Sequence, residues 1–405
     1  MAVFLHSADQ SYTYEDLVAT INHNTTYCPY YQTKNLYAFF VNLSKAIVTN
    51  SPVVLIDADS SQTDMPYVDF EKMNKPKEIA PCAFTDMDEL IDAFCKSTST
   101  ITIFTSGTTG QPKCVTHTLA TLARAVRKGE NYDKHVWAYA YNPTHMAGLQ
   151  VFFQALENQS TLVDVFAQPR DVVYEKIERY GITHISATPT FYRMLMPFEK
   201  EYPSVKRVTL GGEKSDKQLH EQICKIFTNA KINNVYASTE AGSLFAAKGD
   251  SFQLPAEIRD KFRVEDDELL IHKSLLGQSD SFSYDGDFYH SGDLIEWVNE
   301  AEGLFRFKSR KNELINVGGY KVNPGEVEDA INAIDGVQQS LVYGRSNSIL
   351  GNIVVAEVKL VEGATLTDLD IRRSLGLKLQ DFKIPRKIQI VENLSLTKTG
   401  KLKRS

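Results

Sequence analysis

The chain has 405 residues, which is longer than one hydrophobic core ordinarily supports, so two or three domains are expected. Hydrophobic residues make up 42% and charged residues 23% of the sequence, the balance of a soluble globular protein. The net charge of −7 gives no reason to expect nucleic acid as a partner. No apolar run approaches the roughly 18 residues of a membrane helix and no basic segment precedes the short apolar start, which predicts a cytoplasmic protein without a membrane span.

The five cysteines are scattered along the chain and form no Cys-x-x-Cys pair. This spacing argues against both a disulfide framework and a zinc site. We therefore expect reduced thiols at Cys28, Cys82, Cys95, Cys114 and Cys224.

The first part of the chain alternates strand and helix patterns. Residues 11–17 place a strand-like alternation directly before a helix start, and the apolar positions Leu43 to Ile47 precede the buried-strand run Pro52–Ile56. An irregular connection with three prolines follows and leads to a helix that begins near Asp86. The pattern indicates an α/β arrangement.

The most informative stretch is a strand that runs into a loop rich in glycine and hydroxyl groups. Ile101–Phe104 alternates like a half-buried strand, and Thr105–Lys113 is mostly small, hydroxylated or glycine and ends in a cation. Such a loop suits a phosphate, because glycines let backbone N–H groups turn toward an anion. The candidate nucleotide contacts are Thr105, Ser106, Gly107, Thr108, Thr109, Gly110 and Lys113, with Thr108, Thr109 and Lys113 expected on phosphate.

This loop does not have Walker A spacing, because Gln111 and Pro112 separate its last glycine from the lysine. A kinase-type or ATPase-type loop is therefore disfavoured. From composition alone, a surface loop without any ligand is about as well supported as a phosphate-binding loop.

After the loop, residues 119–128 are predicted to be helical and residues 137–141 to form a strand. Phe152 and Phe153 follow at helical spacing and are expected in the core. Three later strands then end in small residues, at Gly181–Pro189, Val208–Glu213 and Asn234–Glu240. Such strands describe a parallel sheet whose ligands gather at the carboxyl ends, so their loops should share one crevice with the phosphate loop.

Thr105–Lys113 resembles the phosphate loop of the adenylate-forming superfamily, which includes acyl-CoA and aryl-CoA ligases, luciferases and the adenylation domains of peptide synthetases. Tyr236–Glu240 resembles the family's Tyr-Gly-x-Thr-Glu element with Ala237 in the glycine place, and Tyr289–Asp293 resembles Tyr-x-Thr-Gly-Asp. The matches run in the family's order from residue 11 to residue 401. The chain is identified as a member of this superfamily.

The resemblance implies an α/β fold with a large N-terminal domain, in which helices flank parallel sheets, and a small mobile α+β lid domain at the C-terminus. The N-terminal domain is assigned to residues 1–310, the hinge to residues 311–312 with Asn312 as its pivot, and the lid to residues 313–405. Compared with other members, the chain looks shortened at its N-terminal end.

The resemblance also implies the roles of individual residues. Tyr236 is expected to stack on adenine, Asp293 to accept from the ribose hydroxyls, and Glu240 to bind the magnesium that bridges the phosphates of ATP. The catalytic residues are expected to be Lys401, Thr239, Glu240 and His145, and the ATP contacts include Gly212, Glu213, Tyr236, Asp293 and Arg310.

Two further sites follow from the resemblance. Asn142–Gly148 matches the motif in which a histidine or aromatic side chain lies near the carboxylate of the acid. The acid pocket is expected to include His145, Ala147, Gly148, Ala187, Thr188, Gly211 and Ala241, and the thiol tunnel Gly318, Gly319 and Lys321. No aspartate stands in Ala140–Thr144, where amino-acid-activating members hold the α-amino group, which favours an aryl or fatty acid.

The predicted activity joins a carboxylic acid to ATP, releases pyrophosphate and passes the acyl group to a phosphopantetheine thiol. The implied cofactors are ATP, Mg²⁺ and coenzyme A or a phosphopantetheinyl carrier protein. Residues 365–405 contain ten basic and four acidic side chains, which suit either acceptor or simply a solvated surface. Two alternatives stay open, an amino-acid-activating adenylation enzyme and a non-catalytic sensor of nucleotide or acyl-adenylate.

Overall fold

The structure is a computed structural model that describes residues 2–65, 68–105, 113–129, 131–213, 215–248, 251–347 and 350–394. The chain divides into two compact units. The first contains Met1–Ser215, Leu219–Ala247 and His272–Asp287, and the second contains Asp216–Gln218, Lys248–Ile271 and Phe288–Ser405. The domain boundary at residues 310–313 and the hinge at Asn312 stay predictions.

The described helices are α1 Tyr14–His23, α2 Leu36–Val48, α3 Met87–Lys96, α4 Leu119–Leu122, α5 Met146–Leu156, α6 Arg170–Tyr180, α7 Pro189–Met194, α8 Lys217–Ile226, α9 Pro324–Asn332 and α10 Asp368–Gly376.

The described strands are β1 Val3–Ser7, β2 Gln10–Thr13, β3 Thr26–Tyr27, β4 Tyr30–Tyr31, β5 Val53–Leu55, β6 Lys77–Glu78, β7 Thr100–Thr105, β8 Lys113–Thr118, β9 Val136–Tyr139, β10 Thr161–Asp164, β11 His184–Ala187, β12 Arg207–Gly211, β13 Lys231–Ser238, β14 Gly242–Lys248, β15 Ser251–Gln253, β16 Phe262–Glu265, β17 Glu268–His272, β18 Tyr284–Asp285, β19 Phe288–Asn299, β20 Leu304–Arg310, β21 Ile315–Val317, β22 Tyr320–Val322, β23 Val337–Asn347, β24 Gly351–Leu360 and β25 Lys387–Ile390.

The larger sheet of the first unit has the strand order β14-β13-β12-β11-β9-β10-β1-β2. Strands β1, β10, β9, β11, β12 and β13 are parallel to their neighbours in this order, whereas β2 and β14 pair in antiparallel fashion at the two ends. The predicted parallel sheet is therefore confirmed. Strands β7 and β8, which flank the predicted phosphate loop, belong to a separate sheet of order β4-β5-β7-β8.

Local sequence explains where the first helices begin. Thr13 closes a capping box with Asp16, so β2 turns directly into α1. Asp86 accepts a hydrogen bond from the Glu89 backbone N–H and starts α3, as the sequence predicts.

The core of the first unit is rich in aromatic rings. Phe40 stacks on Phe152 with 4.5 Å between ring centroids, and Phe4 contacts Phe40 edge-on. Phe152 and Phe153 are completely buried, which confirms that they serve packing rather than a pocket.

One helix is much shorter than its sequence suggests. The pattern predicts a helix over residues 119–128, but α4 ends at Leu122. The prediction was wrong because residues after Leu122 form long-range hydrogen bonds. Arg124 donates to the carbonyls of Ala241 and Leu275, and Gln154 accepts from the Arg127 N–H.

The second unit contains two sheets, described separately. Strands β16, β17, β19, β20 and β15 are neighbours in that order, and β22, β21, β24 and β23 form another sheet that β25 joins beside β24. Helices α9 and α10 bury Val327, Ile331, Ile371 and Leu375 in a core with the strands of this latter sheet. It is an α+β arrangement, since strands and helices are not regularly alternated.

All five cysteines are free. Within the described part of the chain, no helix is both long and apolar enough to cross a membrane.

Candidate active site

Three strands of the first unit carry predicted site residues to one edge of the parallel sheet. Strands β11, β12 and β13 end at Ala187, Gly211 and Ser238, and they lie side by side in parallel register. Because parallel neighbours present their carboxyl ends at the same edge, the loops that follow them lie close together. Glu213, which follows β12, contacts the first turn of α7, which follows β11: its Oε2 accepts from the Thr190 N–H at 3.0 Å and from Thr190 Oγ1 at 2.7 Å.

The loop Thr239–Glu240 after β13 is held by a side chain that the sequence interpretation missed. Nε2 of His117, on β8, lies 2.8 Å from the Thr239 carbonyl oxygen. The Gly277 N–H donates to the Glu240 carbonyl at 2.8 Å. A Cβ on Gly277 would lie 2.5 Å from the His117 ring, so the two residues pack too closely for any side chain at 277. These two hydrogen bonds fix the backbone of Thr239 and Glu240, the residues predicted at the phosphates and the magnesium ion.

Burial lowers the pKa of His117 from 6.5 to about 4, although the Thr239 carbonyl raises it, and Arg124 adds to the lowering. The ring is therefore neutral at pH 7. We assign Nε2 as the protonated nitrogen, because the Thr239 carbonyl can only accept, while Nδ1 faces Thr121 Oγ1 at 3.1 Å. The sequence signal for His117 is the alternation of inward and outward side chains along β8. Val115 and His117, two positions apart, are both buried.

The low pKa of His117 predicts a pH dependence of stability. The unfolded chain binds the proton below pH 6.5 and the folded chain only below about pH 4, so the free energy of unfolding falls as pH drops through this window. The limiting slope is about 1.4 kcal/mol per pH unit for one group. His117→Gln keeps an N–H donor but cannot titrate, so urea unfolding at pH 7, 6 and 5 should show a shallower slope for this variant. Parallel pH profiles would contradict the assignment.

Tyr236, the predicted adenine contact, lies on β13 opposite Phe245 of β14. The two rings stack with 4.9 Å between centroids and an angle of 9° between their planes. Phe245 therefore covers one face of the tyrosine ring and fixes its plane, which suits a residue that stacks on a flat base.

The candidate acid-pocket residue His145 precedes α5 and lies beside a carboxylate. Its Nε2 is 3.9 Å from Asp57 Oδ2, and Asn142 Nδ2 donates to the same oxygen at 2.5 Å. Asp57 follows β5 and was not predicted from the sequence. At Gly148 a Cβ would lie 2.4 Å from the Asn142 carbonyl oxygen, so only glycine allows α5 to pack this closely on the Asn142 turn.

Tyr141, close to the predicted acid-pocket residue Gly211, is a further residue that the sequence interpretation missed. Tyr141 is buried, and a Cβ on Gly211 would lie 3.7 Å from its hydroxyl. Burial raises the pKa of Tyr141 above its usual range, against the effect of its hydrogen bond with Ser186. Its phenol therefore stays protonated and remains a hydrogen-bond donor. The predicted pocket residues Ala187 and Ala241 are also fully buried.

In the second unit the structure brings Asp293 and Arg310 together. They are register partners on β19 and β20, and Arg310 Nε donates to Asp293 Oδ1 at 2.8 Å. Asp293 is only 5% exposed. The pair is a charge-assisted hydrogen bond between two residues predicted to contact ATP, of which Asp293 is the predicted ribose acceptor.

The predicted thiol-tunnel glycines form the tight turn between β21 and β22. Gly318 and Gly319 have φ values of +57° and +92°, which explains why glycine stands at both positions. The Gly319 N–H donates to Asn316 Oδ1 at 3.0 Å, and the next residue, Tyr320, stacks on Phe382. Lys321 is exposed.

Several predicted residues lie outside the described residues, namely Ser106, Gly107, Thr108, Thr109, Gly110 and Lys401. Thr105 and Lys113 are described and are register partners where β7 ends and β8 begins, so they mark the two ends of the predicted phosphate loop. Within the described ranges, no cluster of three or more His, Cys, Asp or Glu residues could hold a metal ion.

Comparison with known proteins identifies the family. A family profile described as AMP-binding enzyme matches residues 40–263, and one described as AMP-binding enzyme C-terminal domain matches residues 326–401. A 2-succinylbenzoate–CoA ligase from Staphylococcus epidermidis is 26% identical over 329 residues, which cover 75% of this chain and 68% of that protein. The mitochondrial acyl-coenzyme A synthetase ACSM4 from Homo sapiens is 27% identical, with coverage of 75% and 59%.

Solved structures show the same fold. The o-succinylbenzoate CoA synthetase from Bacillus subtilis, in complex with its acyl-adenylate intermediate, superposes with a TM-score of 0.73 at 20% identity and covers 99% of this chain and 94% of that one. ATP-bound MatB from Rhodopseudomonas palustris gives a TM-score of 0.74 at 17% identity with the same coverage. The predicted α/β fold class is confirmed. Since the first profile alone matches more than half of the sequence, the chain belongs to the AMP-binding enzyme family.

Proposed function

We propose that this chain is an AMP-forming acid–thiol ligase that activates a carboxylic acid with ATP and transfers the acyl group to coenzyme A. The observation that carries the proposal is the convergence of β11, β12 and β13, whose ends bring Ala187–Thr188, Gly211–Glu213 and Tyr236–Glu240 to one edge of a parallel sheet. These segments hold the family's acid-binding and nucleotide-binding positions.

In the first half-reaction a carboxylate oxygen of the acid attacks the α-phosphorus of ATP, a new P–O bond forms, and pyrophosphate leaves. Tyr236 orients the base and Asp293 accepts from the ribose. Thr239 donates to the α-phosphate, and the backbone of this threonine is fixed by His117. Lys401 supplies a positive charge near the phosphate.

A magnesium ion fits the donor set at Glu240. Magnesium is usually held in nucleotide sites by one or two carboxylates together with substrate phosphates and water, so a cluster of protein ligands is not needed. When bound, the ion neutralises phosphate charge during the transfer. The Gly277 N–H donates to the Glu240 carbonyl at 2.8 Å, which holds the backbone of this residue just after β13.

In the second half-reaction the thiol sulfur attacks the acyl carbon, AMP leaves with its bonding electron pair, and the thiol proton is lost to solvent. The turn at Gly318 and Gly319 is proposed to line the pantetheine path. Two ligases among the relatives use coenzyme A by name, which favours it over a carrier protein as the acceptor. The substrate is proposed to be an aryl or fatty acid, and the name of one relative, 2-succinylbenzoate–CoA ligase, gives an aryl acid.

The deciding experiment is acid-dependent exchange of pyrophosphate into ATP, screened over aryl, fatty and amino acids. Exchange with an aryl or fatty acid, followed by thioester formation with coenzyme A, supports the proposal. If only amino acids support exchange, the proposed substrate class is wrong and the chain activates amino acids. If thioester forms only on a phosphopantetheinyl carrier protein, that carrier and not coenzyme A is the acceptor. Nucleotide binding without exchange for any acid would identify a non-catalytic sensor.

Glu240→Ala is expected to weaken magnesium-dependent turnover while nucleotide binding largely persists, because adenine and ribose contacts come from Tyr236 and Asp293. Magnesium is titrated against the initial rate of adenylation, and the apparent magnesium affinity should fall at least about tenfold for the loss of a charged ligand. An unchanged magnesium requirement would remove Glu240 from the metal site. Glu221→Ala, on α8, is the control for the loss of one carboxylate.

A further inference from the structure

A buried carboxylate in the second unit collects three hydrogen-bond donors. Glu268, the first residue of β17, is only 4% exposed. Its Oε1 accepts from the Gly292 N–H at 2.9 Å, and its Oε2 accepts from Lys311 Nζ at 3.0 Å and faces His290 Nδ1 at 3.2 Å. The proposed reaction does not use this residue.

Two of these donors adjoin the predicted ribose site and hinge. Gly292 precedes Asp293, and Lys311 stands between Arg310 and the predicted hinge residue Asn312. The Lys311 N–H also donates to the Gly292 carbonyl at 2.8 Å, so Gly292 and Lys311 are joined both directly and through Glu268. One carboxylate therefore contacts the backbone of Gly292 and the side chain of Lys311, the residues next to Asp293 and Arg310.

The charge of Glu268 is stable at neutral pH. Burial disfavours ionisation, but the Lys311 ammonium, the Gly292 N–H and His290 outweigh it and hold the pKa of Glu268 below its usual value. A buried carboxylate with three donors is costly to leave unpaired, so the cluster favours a single arrangement of its partners. The positive φ of Gly292, +75°, places its N–H toward the carboxylate in a conformation that glycine adopts without strain.

We infer that Glu268 is a positioning residue that fixes the ribose-binding turn at Gly292–Asp293 to the start of the hinge at Lys311. The inference rests on the proposed function for the role of Asp293, but the contacts themselves do not depend on it. Loss of the Lys311 contact leaves Arg310 less constrained and lets the chain at residues 311–312 open more often. The effect on the reaction is therefore weaker ATP binding rather than slower chemistry.

The chain offers a matched control at the neighbouring position. Asp267, one residue before Glu268, pairs with Lys308 at 2.9 Å, but its side chain is 64% exposed whereas that of Glu268 is 5% exposed. Both pairs join the β17 region to a lysine close to the hinge. Because an exposed pair contributes little, Asp267→Asn should leave ATP binding unchanged.

The main test variant is Glu268→Gln. Its amide oxygen still accepts from the Gly292 N–H, but its NH₂ group faces Lys311 and His290, which are donors themselves. In wild type, Glu268→Gln and Asp267→Asn, ATP affinity is measured by calorimetry, and KM for ATP and kcat by pyrophosphate exchange. We expect the dissociation constant and KM for ATP to rise about tenfold in Glu268→Gln, close to the lower end of the contribution of one hydrogen bond to a charged group, with kcat within about twofold of wild type.

Two companion variants separate positioning from a general loss of structure. Lys311→Met removes the same contact from the exposed side and should match Glu268→Gln in ATP affinity. Lys311→Arg keeps the charge and should restore affinity to near the wild-type value. Equal losses in Glu268→Gln and Asp267→Asn, or wild-type ATP affinity in both Glu268→Gln and Lys311→Met, would overturn the inference.

A second measurement needs no enzyme activity. Trypsin cleaves after lysine, so limited proteolysis with mass spectrometry reports how often the chain opens at Lys311. Cleavage there should be several-fold faster in Glu268→Gln than in wild type, with no such change in Asp267→Asn. Unchanged cleavage would overturn the anchoring of Lys311, whereas failure of wild type to bind or exchange ATP would reject the proposed function alone.

Discussion

Lys401→Ala is expected to slow formation of the acyl-adenylate by about two to three powers of ten, the scale for removing one preorganised charge-stabilising group. Thiol transfer from a supplied acyl-adenylate should survive, because a mobile lid is expected to present Lys401 for adenylation and the turn at Gly319 for transfer. Adenylation is measured by pyrophosphate exchange, and transfer by thioester formation from purified acyl-adenylate. Lys403→Ala removes a charge from the same basic end of the chain and should leave both steps near wild type.

The complementary variant is Gly319→Leu, which should impair thiol transfer and spare adenylation. Within the described residues nothing lies within 4 Å of a Cβ at this position, so the added side chain points into open space proposed for pantetheine. The φ of +92° also strains any residue other than glycine. A loss of thiol transfer caused by backbone strain therefore has to be distinguished from one caused by a blocked pantetheine path.

Gly363 provides the matched control for this strain. It also belongs to the second unit, has a φ of +84° and has nothing within 4 Å of a Cβ among the described residues. Gly363→Leu should therefore cost similar stability but leave thiol transfer unchanged. If the Lys401 and Gly319 variants impair the same half-reaction equally, the assigned roles on the C-terminal domain are wrong, since a mobile lid that presents them in turn predicts opposite effects.

Asp293→Asn is expected to weaken ATP binding by about 1.5–3 kcal/mol, the range for hydrogen bonds to a charged group. The structure sharpens this expectation, because Asp293 is 5% exposed and accepts from Arg310 Nε at 2.8 Å. An amide at this position loses the charge that orients the guanidinium as well as an acceptor for the ribose. ATP and AMP affinities are measured by calorimetry with and without magnesium.

Glu296→Gln is the control for Asp293→Asn. Glu296 is exposed on the same strand, β19, and its register partner on β20 is Arg306, so the variant changes another carboxylate opposite an arginine. Its ATP affinity should equal that of wild type. An Asp293→Asn protein that binds ATP as tightly as wild type would remove Asp293 from the ribose site.

The sequence by itself determined the elements whose signals are local. The alternation in Ile101–Phe104, the small residues that end β11, β12 and β13, and the caps at Thr13 and Asp86 each depend on residues a few positions apart, and the structure forms all of them. The resemblance likewise predicted both Asp293 and Arg310 as ATP contacts, and the register of β19 and β20 brings the two residues together.

Tertiary structure alone decided which side chains support those motifs. His117 reaches Thr239 across 122 positions, and Lys311 reaches Glu268 across 43. The early end of α4 has the same origin, since Arg124 bonds to carbonyls more than a hundred residues away. Periodicity and short motifs contain no information about such distant pairs. They exist because strand order and burial bring the partners together, and a buried polar group must then find a partner.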